Sequence, residues 1–404
     1  MFRNSQFRAG TWAIIVAALM AECDDLQPIR SHSLQEIAKE FLRLGFVAYG
    51  GPAAHIAMME ERFVRRLAWV SRERFLDLVG AVNLLPGPSS TELAIYLGQI
   101  SGGAAGLLVA GACFILPAAI LVCAFAWAYL QYGAVPQMAG LLFGIKPVVV
   151  ALIAQAIWSL GKAALKTVPL ATLAVLVVAL AVLGLPVLVL LIGAGVWWML
   201  LRQGQALVKA RTSMTALFIG GAAGSGATAV GIVPAFLYFL KVGAVLFGSG
   251  YVLLAVLRAD LVVRLHWLTD AQLLDAVAVS QATPGPFFTV ATFIGYLLGG
   301  WKGAALTTVG MFLPAFVYVA VTAGFLSKLR KSPVAGAFLD GVNASAVALM
   351  AYVGWQFTRA ALVNIPAIVL AIVSALLVFR YKVNSVWLVL AGAVAGILIR
   401  AAGL

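Results

Sequence analysis

Apolar stretches close to the roughly 20 residues that a bilayer-crossing helix needs recur along most of this chain, broken by short polar loops. Runs such as Leu170 to Leu183 are apolar on every face, with none of the period-2 alternation of a barrel strand. The pattern therefore predicts an all-α polytopic membrane protein. In the first half it places spans near 104–130, 137–158, 168–184 and 186–201, and a connecting span over 215–234. Two earlier segments, 41–59 and 76–100, carry helix breakers at their middle, Gly50-Gly51-Pro52 and Pro86-Gly87-Pro88. Each is expected to enter and leave the membrane on one side as a re-entrant hairpin. Ser33 to Lys39 reads as an amphipathic helix leading into the membrane. Before it, Thr11 to Met20 is apolar but too short to span, and Arg3 and Arg8 give it the layout of a signal peptide without a convincing cleavage site.

The same pattern repeats. Phe41-Leu-Arg-Leu-Gly45 returns 198 positions later as Phe239-Leu-Lys-Val-Gly243, and at that offset Trp69 pairs with Trp267, Asp77 with Asp275, and Pro86-Gly87-Pro88 with Pro284-Gly285-Pro286. Beyond Glu92 the offset becomes 197, pairing Gly98 with Gly295, Pro117 with Pro314, Gly144 with Gly341 and Trp158 with Trp355. Compositional bias produces chance matches among Gly, Ala and Leu, but not paired Trp, Asp and Pro-Gly-Pro. The chain accordingly divides into an N-terminal segment 1–34, a first repeat 35–213, and a second repeat with its connecting helix, 214–404. Duplicated halves in a membrane protein commonly flank a shared site near the bilayer midplane.

Composition and charge sharpen this picture. The chain is 63% hydrophobic and 10% charged, with 27 Lys plus Arg against 14 Asp plus Glu. In a soluble protein a net charge of +13 would suggest nucleic acid; here the cations sit mainly in loops, as the cytoplasmic Lys/Arg bias requires, so no nucleic-acid partner is expected. The distribution reverses between halves. Half one concentrates them at Arg62, Arg65, Arg66, Arg72 and Arg74, at Lys162 and Lys166, and at Arg202, Lys209 and Arg211, leaving 131–136 and 183–186 empty. Half two places Lys328, Arg330, Lys331, Arg380 and Lys382 where half one has none. Opposite charge on equivalent loops predicts inverted repeats. Cys23, Cys113 and Cys123 form no metal-binding or disulfide pattern, and His32, His55 and His266 have no His partner across the repeat, so neither a metal, a cofactor nor catalytic residues are expected.

The candidate chemistry lies at the breakers. A Pro-Gly-Pro triplet ends one helix, and its second Pro suits the first position of the next, so a half-helix starts within the membrane with free N–H groups and a partial positive charge. That geometry favours an anion. The candidate substrate-binding residues are Pro86, Gly87, Pro88, Ser89, Ser90 and Thr91 in half one, and Pro284, Gly285, Pro286 and Thr289 in half two. Asn83 and Gln281 precede the two triplets as donors to an oxyanion or to freed carbonyls. Arg43 and Lys241 precede the Gly-rich breaks Gly50-Gly51 and Gly248-Ser249-Gly250; an ionised Lys241 in its uncharged run costs about 3 kcal/mol on insertion scales and so is expected to be there for a purpose. Lys146 stands at a span start, as an interface anchor would. Glu92, Asp77 and Asp275 are candidates for a coupling proton, each with a structural alternative as a helix-start carboxylate.

These segments resemble the chromate ion transporter family in its long-chain, two-domain form, through FLRLGFVAYGGPAAHIAMMEERFV (41–64), WVSRERFLDLVGAVNLLPGPSSTELAIYLG (69–98), GIKPVVVALIAQA (144–156), FLKVGAVLFGSGYVLL (239–254) and WLTDAQLLDAVAVSQATPGPFFTVATFIGY (267–296). The likeness covers roughly residues 35–400. It implies a multi-pass protein of the bacterial inner membrane, surrounded by lipid and compatible with a homodimer, that expels chromate by secondary transport, confers chromate resistance and takes or is inhibited by sulfate. A transporter of another oxyanion and an anion channel are the alternatives; an enzyme is disfavoured. Ser89 and Tyr49 depart from residues common in the family, an acidic residue after the first Pro-Gly-Pro and a Phe in the first Gly-Gly-Pro.

Overall fold

The computed structural model describes residues 32–132, 136–207, 231–247, 250, 252–322 and 333–402, and among them every regular element is a helix. The N-terminal residues 1–31, most of the expected connecting span, Gly248 and the basic loop 328–331 lie outside the described residues. Half one comprises α1 (Leu34–Val47), α2 (Gly51–Met59), α3 (Arg72–Val82), α4 (Ser89–Tyr132), α5 (Pro136–Ala164), α6 (Val168–Val182) and α7 (Val187–Leu207). Half two repeats the series as α8 (Ile232–Val245), α9 (Val252–Leu257), α10 (Asp270–Ala282), α11 (Val290–Thr322), α12 (Pro333–Ala361), α13 (Ile365–Tyr381) and α14 (Ser385–Ala401). Four of these helices, α4, α5, α11 and α12, are long and apolar enough to cross a membrane.

The repeat extends to backbone detail. α2 and α9 each run into a seven-residue π-helical segment, Glu60–Arg66 and Arg258–Arg264, and each ends at a left-handed residue, Ala68 (φ 50°) and His266 (φ 52°). Helix starts are set by hydroxyl caps: Ser33 and Glu36 form a capping box on α1, Thr269 and Gln272 form one on α10, and Ser71 caps α3. The amphipathic segment expected at Ser33 to Lys39 is thus the first turns of α1, which continues to Val47.

α4 and α11 are each two helices in one run. At Gly102-Gly103 and Gly299-Gly300 the backbone leaves the helical region, with φ of 63° at Gly103 and 58° at Gly300. The chain folds back there so tightly that Gly98 lies against Gly106 and Gly295 against Gly303, leaving no room for a Cβ. A β-carbon would also disfavour the left-handed conformation, which is why glycine occupies the turns.

Two contacts fix the path of the first hairpins. The His32 N–H donates to the Ser101 carbonyl at 2.9 Å, and the His32 ring stacks on Trp69 at 4.1 Å. Residues 32, 69 and 101 therefore share one end of the molecule. The segment from α1 to the π-helical turn goes in and comes back, and so does the segment from α3 to the first part of α4. These are the expected re-entrant hairpins, with outer limits wider than 41–59 and 76–100.

The halves run opposite ways. Tyr129, near the end of α4, packs its ring on Phe293 near the start of α11 and donates its hydroxyl to Asp275 on α10. Conversely Tyr96, near the start of α4, lies beside Thr322 at the end of α11. The long helices are antiparallel, and the repeats are inverted. They also exchange partners: α5 packs on α14, with Gly140 and Gly144 against Gly392 and Gly396, while α12 packs on α7, with Gly341 against Ala194 and Gly195. Small residues at these crossings let backbones touch, the arrangement that holds helices together where water supplies no hydrophobic drive.

Candidate functional site

The hairpin tips of the two halves meet and interlock. The Gly87 N–H of the first Pro-Gly-Pro donates to the Leu246 carbonyl at the end of α8, and the Gly285 N–H of the second donates to the Ala48 carbonyl at the end of α1, both at 2.7 Å. Each triplet thus caps the helix end of the opposite repeat. Both glycines are left-handed, Gly87 at φ 135° and Gly285 at 92°. A Cβ on Gly285 would press on Ala118, and one on Gly87 would press on the Glu92 carboxyl, so the tips admit no side chain there.

This contact uses one amide per triplet and leaves the half-helix starts open. Pro88 does not sit in the first helical position but caps: its carbonyl accepts from Thr91 and Glu92. Pro286 does the same ahead of a 3-10 turn over Phe287–Thr289, where it accepts from the Thr289 amide and, at 2.9 Å, from the Thr289 hydroxyl. Ser89 and Ser90 amides have no hydrogen-bond partner among the described residues. Two buried donors are also unpartnered, Thr91 Oγ1 on the first tip and Gln281 Nε2 beside the second. A buried donor without an acceptor costs about 1–3 kcal/mol, and such groups in native proteins call for an explanation, of which a missing water or ion is one.

His55 ties the tips together, and nothing in its sequence context marked it. It is buried, donates from Nε2 to the same Ala48 carbonyl that receives Gly285 (3.1 Å), and so offers Nδ1 to the Ser90 hydroxyl at 3.3 Å. One carbonyl therefore joins α1, α2, the start of α4 and the second Pro-Gly-Pro. Its repeat counterpart is Leu253, so a search for paired residues passes over it.

The other candidates divide into buried and exposed. Asp275 is 2% exposed; Lys146 of α5 approaches its Oδ1 at 3.1 Å and the Tyr129 hydroxyl donates to Oδ2 at 3.2 Å. Lys146 is therefore half of a buried ion pair between the repeats and not merely a span-start anchor. Tyr129 and Lys146 also line a cleft of about 490 Å³ that includes Arg400. Glu92 is fully buried, with neither carboxyl oxygen hydrogen-bonded. Gly250 is buried against the Phe288 ring. By contrast Gly50, Asn83 and Asp77 are exposed, as are Arg43 and Lys241 on the outer faces of α1 and α8. The structure brings together Gly87, Ser90, Glu92 and Gly285 around the tips and does not bring Arg43 or Lys241 into that buried cluster. No group of three or more His, Cys, Asp or Glu that could hold a metal occurs among the described residues.

Comparison with known proteins follows the same duplicated outline. The chromate transporter family model matches twice, over residues 35–199 and 233–397. The chain is 33% identical over 396 residues to a chromate transport protein of Pseudomonas aeruginosa, covering 91% of this chain and 92% of that one. It is 32% identical over 379 residues to a chromate transport protein of Cupriavidus metallidurans (90% and 92% covered), and 28% identical over 394 residues to a probable chromate transport protein of Synechococcus elongatus (94% and 99%). No solved structure matches. With both repeats matched and relatives aligned along nearly their whole length, this chain belongs to the chromate transporter family.

Proposed function

We propose that this protein is a secondary transporter that exports chromate across the bacterial inner membrane and so confers chromate resistance. One observation carries the reading: two half-helices begin inside the molecule where inverted hairpins interlock, and the donors around them, Thr91 Oγ1, Gln281 Nε2 and the Ser89 and Ser90 amides, have no partner among the described residues. A tetrahedral dianion fits such a set, since each oxygen accepts hydrogen bonds and the helix starts favour negative charge. The anion is bound by Ser89, Ser90, Thr91 and Gln281 around Gly87 and Gly285. Arg43 and Lys241, exposed on the helices leading to the tips, serve its approach by raising the local anion concentration. Sulfate, with the same shape and charge, is expected to compete.

The packing supports alternating access. Among the described residues, α9 and α10 are docked on α5, α7, α12 and α14, while α2 and α3 make no comparable packing. The half-one flank is accordingly the less covered one among the described residues: Leu76 is 48% exposed and its counterpart Leu274 only 1%. By the Lys/Arg bias, the end of the molecule that carries Arg62, Arg65, Arg66 and Arg72 is cytoplasmic, so the less covered flank is the one through which cytoplasmic anion enters. Chromate uptake into inverted membrane vesicles tests the reading. Vesicles with the wild-type protein should accumulate chromate, and sulfate should inhibit; Gly285→Leu at equal abundance should accumulate none. Wild-type vesicles that take up no more chromate than protein-free controls would refute it. A flux that stays proportional to concentration without saturating would favour a channel.

A further inference from the structure

Glu92 has no place in the anion cradle just described, yet its position is specific. It lies in the first turn of the half-helix that starts at Ser89, is 0% exposed, and has both carboxyl oxygens unpartnered. Its Oε1 rests where a Cβ of residue 87 would be, so the glycine that makes the contact to α8 also makes room for the carboxyl. The groups facing it are few. From α11 comes Tyr318, whose hydroxyl is committed to the Ala244 carbonyl at 2.7 Å; on the α8 side the Gly243 carbonyl lies 3.8 Å from where a Cβ of residue 87 would be. On α4 itself Ser90 is turned to His55, which spends both ring nitrogens on Ser90 and Ala48. On α3 Arg74 reaches Tyr96, beyond Glu92, and Asp77 is exposed. No ion pair involves Glu92, and no cation touches it, among the described residues.

A carboxylate here would be an uncompensated buried charge, the costliest arrangement available to it, whereas the neutral acid loses only hydrogen bonds. A dianion at Ser89 to Thr91, within the same turn, adds repulsion to that cost. We propose that Glu92 is the proton site of this transporter: the anion and a proton on Glu92 bind together, so that each molecule of anion carried through the tips takes one proton with it. The proton comes from water on the side where the anion enters and returns to water where the anion leaves, and nothing else changes hands. Reciprocity then requires that protonation of Glu92 tighten anion binding by the factor by which anion binding tightens the proton. This inference rests on the anion reading of the tips.

The test uses purified full-length protein in liposomes and sulfate as the probe, because sulfate stays doubly ionised through the neutral range and chromate does not. For the wild type, the apparent affinity for sulfate should fall by up to tenfold for each unit of pH increase, and an imposed pH gradient should drive sulfate flux. Glu92→Gln, a permanent mimic of the neutral acid, should bind sulfate with no such pH dependence, retain sulfate-for-sulfate exchange, and lose gradient-driven flux. Adding sulfate to the wild type in weak buffer, at a pH high enough to ionise Glu92 in the empty protein, should also withdraw up to one proton per anion bound. A Glu92→Gln protein that keeps the wild-type pH response overturns the proposal, as does sulfate binding without proton uptake by the wild type. Loss of exchange as well as gradient-driven flux in abundant, monodisperse Glu92→Gln and Glu92→Asp proteins overturns it too, by placing Glu92 in the cradle. If the wild type moves neither sulfate nor chromate, the transport reading itself fails, whatever Glu92 does.

Discussion

The ion pair of Lys146 with Asp275 allows a prediction whose sign separates it from ordinary loss of contact. Asp275 is 2% exposed and depends on two donors, the Lys146 ammonium and the Tyr129 hydroxyl, whereas the Lys146 side chain is 23% exposed and opens onto the cleft shared with Arg400. Replacing Lys146 by Met strands a buried carboxylate with one neutral donor, and breaking a buried pair this way costs about 3–5 kcal/mol. Replacing Asp275 by Asn leaves an ammonium that can turn to water, while the amide oxygen still accepts from Tyr129; this should cost about 1–2 kcal/mol. The double variant strands no charge and loses only the hydrogen bonds and their packing, about 1–2 kcal/mol. The expected order of thermal stability for detergent-purified protein is therefore wild type, then Asp275→Asn together with the double variant, then Lys146→Met last. Adding Asp275→Asn to Lys146→Met should rescue it. If the two substitutions instead add, so that the double variant is the least stable, the pair contributes nothing by being paired and the argument fails.

Three further outcomes follow from the packing. Gly285→Ala and Gly300→Ala both force alanine into a left-handed conformation, worth about 1 kcal/mol, but only Gly285 faces neighbours among the described residues, so chromate uptake into inverted vesicles should survive Gly300→Ala and be lost in Gly285→Ala. Gly144→Leu should separate α5 from α14 and sharply reduce membrane abundance, while Gly193→Leu, with nothing near its Cβ position, should be tolerated in the same blot. His55→Leu, which copies the counterpart residue Leu253, should lower chromate uptake several-fold at equal abundance by freeing Ser90, and His55→Gln, which still donates to the Ala48 carbonyl, should retain more.

How far the chain could be read without coordinates differs from element to element. The hairpins were legible because Gly-Gly-Pro and Pro-Gly-Pro interrupt apolar runs, and interruption within a membrane has few structural solutions. Inversion was legible in the loop charges, because topology is set by where Lys and Arg fall. The interlocking of the tips was not, since it is made of backbone: the Gly87 amide to the Leu246 carbonyl and the Gly285 amide to the Ala48 carbonyl leave no mark on residue identity beyond the glycines themselves. His55 and Lys146 escaped for the opposite reason. Their importance comes from lacking a like counterpart, Leu253 and Asn343 standing in the equivalent places, and comparison of repeats rewards likeness.

That departure from symmetry bears on how the two ends of the pathway differ. Inverted repeats let a transporter exchange the conformations of its halves, so that the half-one hairpins would dock as the half-two hairpins now do. In the present arrangement the docked α10 brings Asp275 to Lys146 across the repeat. In the exchanged arrangement the equivalent residues are Asp77 and Asn343, which make no ion pair with each other. The state with half two closed thus holds a buried charge pair that its mirror image cannot form, and the two states differ in energy by the net worth of that pair. If the half-two-closed state is the one open to the cytoplasm, the resting protein is biased toward loading from inside. The export proposed above needs that bias, because the substrate to be captured is scarce on the side the protein faces and the return of the empty carrier must not wait for substrate from outside. Asn343→Lys, which sets a lysine in half two where Lys146 stands in half one, removes the asymmetry at its source, and a protein so altered should populate both arrangements where the wild type populates one.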